Sequence, residues 1–160
     1  MRLEEAIKTN RFEDEKHKAS LNLLYTTYWL KNQISKEMKS NGLTFEQFNI
    51  MRILRGSHPE QMCIKDIADR MIEKSSNVPR IIDRLIVKKL VKRTTSKVDK
   101  RETLVSLSYK GMLTLEDASK LTHHLTSDII GLSEVEAITL NELLEKMRSR
   151  PEAIIAGQAE

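Results

Sequence analysis

Cysteine, proline, glycine and aromatic residues are all scarce in this chain, and each scarcity narrows what it can be. The single cysteine, Cys63, cannot close an internal disulfide, which agrees with a reducing compartment. Three prolines and five glycines in 160 residues leave little room for long loops. No apolar run reaches the ~18 residues of a membrane-spanning helix. The opening MRLEEAIKTN is charged and lacks a hydrophobic signal region, so cytoplasmic residence and no membrane partner are expected. No GxSxG, Gly-rich phosphate loop, HExxH or Cys-x-x-Cys occurs, so neither enzymatic activity nor a cofactor is expected. His123 and His124 are neighbours on a helix and point in different directions, a poor metal set, and His17 and His58 lie far off.

What the chain does have is 39% hydrophobic residues, enough for a core, arranged at helical spacing. One long helix is predicted from Phe12 to about Lys39, with Leu21, Leu24, Tyr25, Tyr28 and Trp29 on a face. Thr44 and Gln47 form a capping box, and Leu43 with Phe48 a hydrophobic staple, for a helix closing at Gly56. Ser108 caps a helix from Tyr109 to about Ile130, stopped by Gly131. Ser133 and Glu136 box the start of another that reaches about Arg148.

Between these lies CIKDIADRMIEKSSNVPRIIDRLIVKKLVKRTTSKVDKRETLVSL, residues 63–107. Ile64, Ile67, Ala68 and Met71 make a short amphipathic helix with Cys63 at its N-cap. Ser75 or Ser76 can cap a second helix, whose apolar stripe is Val78, Ile81, Ile82 and Leu85. Pro79 is harmless only in a first turn, which places the helix start near those serines. Its opposite face carries Ser76, Pro79, Arg80, Asp83 and Arg84, donors and acceptors on a helix slim enough for a major groove, with Asp83 orienting Arg80 or Arg84. Val91–Thr95 and Thr103–Leu107 are rich in β-branched residues and flank the loop Ser96–Glu102, a two-stranded wing. Twelve Lys and Arg against five Asp and Glu give residues 61–101 a net +7, in a chain whose total is +4. Such concentration is the footprint of phosphate contact. The fold class is therefore mainly α with a small β wing (α+β), and the partner double-stranded DNA. Candidate DNA-binding residues are Ser75, Ser76, Asn77, Pro79, Arg80, Arg84, Arg93, Lys97, Asp99, Lys100 and Arg101.

SSNVPRIIDRL, followed by KKLVKR, the wing VDKR and then LSYKG, resembles the MarR family of bacterial winged-helix regulators. The resemblance covers the helix arrangement from about 17 to 149, with its diagnostic motifs between 63 and 111. Asp99-Lys100-Arg101 matches the family's Asp-x-Arg wing motif. The resemblance implies a homodimeric, sequence-specific transcription factor on a palindromic operator, usually a repressor, released by a small ligand and with the wing arginine in the minor groove. It implies one domain over 1–160, with a winged helix-turn-helix module at 44–107 flanked by dimerisation helices at 12–39 and 109–149. The apolar surplus of those outer helices (Leu21, Leu24, Leu125, Ile129, Ile138, Leu143, Leu144 and Met147) exceeds what a thin module covers, which favours a homodimer over a closed monomeric bundle.

One departure concerns Lys89, which stands where the family usually has Gly. A lysine in a left-handed cap costs roughly 1 kcal/mol relative to Gly, so a different helix ending is expected here. Tyr25, Tyr28 and Trp29 are the candidate wall of a pocket for an aromatic or phenolic effector, a role implied by resemblance; core or dimer packing serves the same spacing equally well. Cys63, at a helix N-terminus, is read either as an oxidant-reactive thiol or as an inert, semi-buried residue. Family members that sense peroxide do so through a cysteine in the first helix, where this chain has none, which favours the second. Two other readings compete: a winged-helix protein-interaction module that binds no nucleic acid, and a weakly specific architectural DNA binder. Holding Asp99 and Arg101 together with Lys97 and Lys100 on the wing argues against the interaction module.

Overall fold

The computed structural model describes residues 1–74 and 77–149. Ser75 and Ser76 lie outside them, as do the side chains of Leu125 and Ile129. The elements in chain order are α1 (Leu3–Ile7), α2 (Glu15–Ser40), α3 (Phe45–Gly56), β1 (Met62–Cys63), α4 (Ile64–Arg70), α5 (Val78–Val87), β2 (Val91–Thr95), β3 (Thr103–Leu107), α6 (Tyr109–Ile130) and α7 (Glu134–Arg148). Two compact units divide the chain, Met1–His123 and His124–Glu160. Among the described residues no helix is long and apolar enough to cross a membrane.

The first unit is built around α3. Its Thr44–Gln47 capping box forms as expected, each side chain accepting from the other residue's backbone N–H at 3.2 Å. Leu43 and Phe48, the staple pair, are both buried in the core, with Ile50, Met51 and Leu54. The stripe Val78, Ile82 and Leu85 of α5 packs into the same cluster, with Ile81 half-buried beside it. Burying side chains of this size stabilises by about 1.5–3 kcal/mol each, which holds α5 by one face and leaves the other to solvent.

Two elements were not anticipated, one in the wing sheet and one at the N-terminus. Met62–Cys63 forms a two-residue strand, so the sheet has three antiparallel strands in the order β1-β3-β2. Its registers pair Met62 with Val105, Val91 with Leu107 and Thr95 with Thr103. A short α1 also precedes the long helix, anchored by buried Leu3 and by Lys18 Nζ on Glu4 at 2.6 Å.

The recognition-type helix starts and ends differently from expectation. Its N-cap is Asn77 and Pro79 sits at the second helical position, so the start lies one to two residues beyond the serines read as caps. Pro79 still falls where no intrahelical N–H is required. At the other end Lys89 does adopt the left-handed conformation, with φ 62°. Leu90 N–H donates to Leu85 C=O at 3.0 Å and Lys89 N–H to Ile86 C=O at 2.8 Å, the full Schellman pattern, with Leu85 and Leu90 both buried. The expected alternative ending is thus corrected: two carbonyl bonds and the buried Leu85–Leu90 pair outweigh a strain of about 1 kcal/mol. Lys89→Gly should therefore stabilise the protein by about 1 kcal/mol, raising the thermal midpoint by roughly 2–4 °C. A midpoint that falls instead would show that Lys89 contributes an interaction exceeding its strain.

In the second unit the Ser133–Glu136 box forms, and Gly131 stops α6 at φ 58°. Hydrogen bonds from Ser133 hold the Glu136 carboxyl below the usual carboxylate range. No residue of α7 is buried, and Val135, Ile138, Leu143 and Met147 are more than half exposed.

Candidate nucleic-acid interface

With one face of α5 in the core, Asn77, Pro79, Arg80, Asp83 and Arg84 stand on the exposed face. Arg80 and Arg84 lie one turn apart, and among the described residues neither guanidinium takes part in an ion pair. The expectation that Asp83 orients one of them is corrected. Asp83 Oδ1 instead accepts from Arg93 Nη2 of β2 at 2.8 Å. This pair ties the helix to the wing strand, and it engages a guanidinium that sequence reasoning had assigned to DNA. Both partners are partly exposed, so the pair itself is worth under about 1 kcal/mol; its effect is to set direction.

The wing tip is ordered by hydrogen bonds of its own. Asp99 Oδ1 accepts from the backbone N–H of Arg101 at 2.9 Å, an Asx-type turn. An aspartate two residues ahead of an arginine could instead have paired with its guanidinium; here the carboxylate fixes the backbone and leaves the Arg101 side chain exposed. Ser96, buried at the loop's base, accepts from Val98 and Asp99 N–H at 3.2 Å. Its own N–H donates to Glu102 C=O at 3.0 Å. Sequence reasoning passed over Ser96, although a serine followed two residues later by a turn is a known local signal. Lys97, Asp99, Lys100 and Arg101 are all exposed.

Two further tethers hold the exposed face in place. Lys88 Nζ donates to Gln47 Oε1 at 2.9 Å and to Gly42 C=O, joining the end of α5 to the turn between α2 and α3. Lys31 Nζ on α2 meets both Glu73 oxygens, at 2.7 and 2.8 Å, in the turn ahead of α5. Neither was legible, because each joins residues more than forty positions apart.

Of the candidate pocket residues, Tyr25 and Trp29 share an open hollow of about 260 Å³ with Met1, Leu3, Asn22 and Thr26. Tyr28 does not line it and is 67% exposed. Cys63 stands at the N-cap of α4 as expected, its sulfur accepting from Asp66 N–H at 3.4 Å.

The architecture, with residues 43–103 spanning α3, the helix-turn-helix and most of the wing, matches the family model described as MarR family. Those residues form a MarR-family domain. Among curated relatives, the HTH-type transcriptional regulator MgrA of Staphylococcus aureus is 26% identical over 138 residues, covering 83% of this chain and 92% of MgrA. The Staphylococcus aureus MepR–DNA complex is similar in fold, with TM-score 0.74 and 21% identity over 81% of this chain and 96% of that one. So is Bordetella bronchiseptica BpsR, whose DNA binding is regulated by 6-hydroxynicotinic acid, with TM-score 0.71, 23% identity, and 81% and 93% coverage. The MarR-like fold places the quoted motifs consistently: the LSYKG stretch opens α6, and VDKR forms the wing tip.

Proposed function

We propose that this MarR-family protein is a cytoplasmic, dimeric, sequence-specific DNA-binding regulator of transcription, a repressor released by a small aromatic or phenolic effector, with no enzymatic activity. The observation that carries the reading is the exposed, cationic face of α5 beside a basic wing, the two bridged by Asp83–Arg93. A helix in the major groove and a wing beside it need a fixed mutual angle, which the core shared by Val78, Ile82 and Leu85 with Val91 and Val105 supports and the ion pair aligns. The relatives lend support: MgrA is a transcriptional regulator, MepR is found on DNA, and BpsR answers to an aromatic acid. The exposed apolar side chains of α7 support a two-fold partner, which would set two α5 helices about one DNA turn apart. The hollow at Tyr25 and Trp29 offers an apolar wall for an effector ring. Such an effector must bind the DNA-incompetent conformation better, since equal affinity for both shifts nothing.

The test is a gel shift with promoter DNA adjoining the protein's own gene, at two salt concentrations. Sharp, salt-sensitive binding to one palindromic fragment supports the reading. Absence of binding even at low salt would leave a protein-interaction module, and even binding to every fragment an architectural one.

The wing yields a sharper expectation. Arg101→Ala should weaken operator binding at least about tenfold with thermal stability nearly constant. Because Asp99 acts through an acceptor oxygen on a backbone N–H, Asp99→Asn should bind like the parent, whereas Asp99→Ala should bind more weakly. Loss of binding in Asp99→Asn equal to that in Asp99→Ala would mean the negative charge, and not the turn, is what matters.

A further inference from the structure

Val98, at the tip of the wing, is 98% exposed, more than any other large apolar side chain described. Single exposed apolar residues ordinarily call for no explanation, but two observations set this one apart. The first is that the backbone beneath it is fixed. Besides the two bonds to Ser96 Oγ, Ser96 N–H reaches Glu102 C=O, Glu102 N–H reaches Asp99 C=O at 2.9 Å, and Arg101 N–H reaches Asp99 Oδ1. A loose loop would fold its valine inward; this loop holds it out. The second is its setting among Lys97, Lys100 and Arg101, all exposed.

We propose that Val98 is itself a DNA-contact residue, seated against the deoxyribose C–H walls of the minor groove beside Arg101 while the flanking Lys97 and Lys100 meet phosphates on either side. This rests on the DNA-binding reading above and adds to it an apolar, charge-independent contact. The chemistry is selective. A valine gains nothing over phosphate oxygens or base-edge acceptors, so within a duplex it fits the sugar walls or a thymine methyl. Sugar walls lie within reach of phosphates on both flanks, which matches an apolar tip ringed by cations, and apolar side chains are used in this groove by other proteins. The pre-formed turns mean that little ordering entropy is lost when the tip docks.

The experiment uses the full-length protein and the tightest duplex recovered from a random-sequence library, with the parent, Val98→Ala and Val98→Thr titrated across a salt series. Val98→Ala should lower affinity about tenfold, equivalent to ~1.4 kcal/mol. Val98→Thr, equal in shape but polar, should also fall below the parent. The slope of log K against log salt should not change in either variant, because no phosphate-neutralising charge is removed. Thermal midpoints should match the parent, since the side chain touches no core. Replacing thymine by uracil across the wing-proximal bases should leave parent affinity intact. Parental affinity in Val98→Ala, or a tenfold loss on uracil substitution alone, overturns the proposal. If the parent binds no duplex at low salt, the regulator reading fails, and this contact with it.

Discussion

Gly111→Ala is expected to destabilise the protein by about 2–3 kcal/mol, lowering the thermal midpoint by roughly 4–12 °C. Gly111 lies in the first turn of α6, directly against the end of the α5 cap. A Cβ there would overlap the Leu90 carbonyl oxygen and lie 2.9 Å from its carbonyl carbon, both backbone atoms that cannot rotate aside. That same carbonyl accepts from Ser108 N–H at 3.0 Å. Ser108 Oγ donates to Lys89 C=O at 2.7 Å and accepts from Gly111 N–H at 2.9 Å. Opening the junction would strain the cap and weaken these bonds, each worth about 1 kcal/mol. Against this, alanine gains ~1 kcal/mol of helix propensity over glycine, which the overlap exceeds. Gly56→Ala is the control: it is also helical, nothing lies within 4 Å of its added Cβ, and it should keep or raise stability. Equal midpoints for Gly111→Ala and the parent, by calorimetry, would mean that the junction yields easily and that glycine at this place is incidental.

This junction shows where sequence reading succeeds and where it stops. Ser108 was legible as a cap because capping is local: a hydroxyl three residues ahead of an N–H, before an apolar run. So were the Thr44–Gln47 and Ser133–Glu136 boxes, the Val78–Leu85 stripe and the wing strands, all encoded within a few residues. Gly111 stands in the quoted LSYKG stretch, yet its reason is a carbonyl twenty-one positions earlier, and no periodicity records that. Asp83 misled for a related cause. Arg80 stands one turn away and Arg84 next in sequence, but the acceptor is taken by Arg93, which tertiary packing of β2 against α5 brings alongside. Local spacing proposes partners, and tertiary packing chooses among them. The start of α5 failed differently: serines are better caps than asparagine by little or nothing, so a one- or two-residue shift changes the energy hardly at all. Lys89 is the inverse case, where a local penalty was legible and the compensating Leu85–Leu90 burial was not.

The freedom of Arg80 and Arg84 gives the strongest expectation about DNA. With Asp83 committed to Arg93, nothing in α5 neutralises these two guanidiniums, and they project one turn apart from a helix anchored by its opposite face. A bidentate arginine on guanine contributes about 1–3 kcal/mol of discrimination, so each Arg→Ala change should weaken operator binding roughly 5- to 150-fold. Stability should move by less than about 0.5 kcal/mol, because both residues are exposed. The salt series separates two mechanisms. If an arginine reads a base, its removal lowers specific affinity, relaxes selection at one operator position and hardly alters the salt slope. If it meets a phosphate, affinity falls evenly over all sequences and the slope shallows by about one unit. Asp83→Ala is a useful third variant. It leaves both arginines in place but releases Arg93 and the angle between helix and wing, so it should weaken specific binding while non-specific binding holds or rises, through one lost negative charge. Binding equal to the parent in Arg80→Ala and Arg84→Ala alike, at every salt concentration, would show that α5 is not the helix that enters the groove.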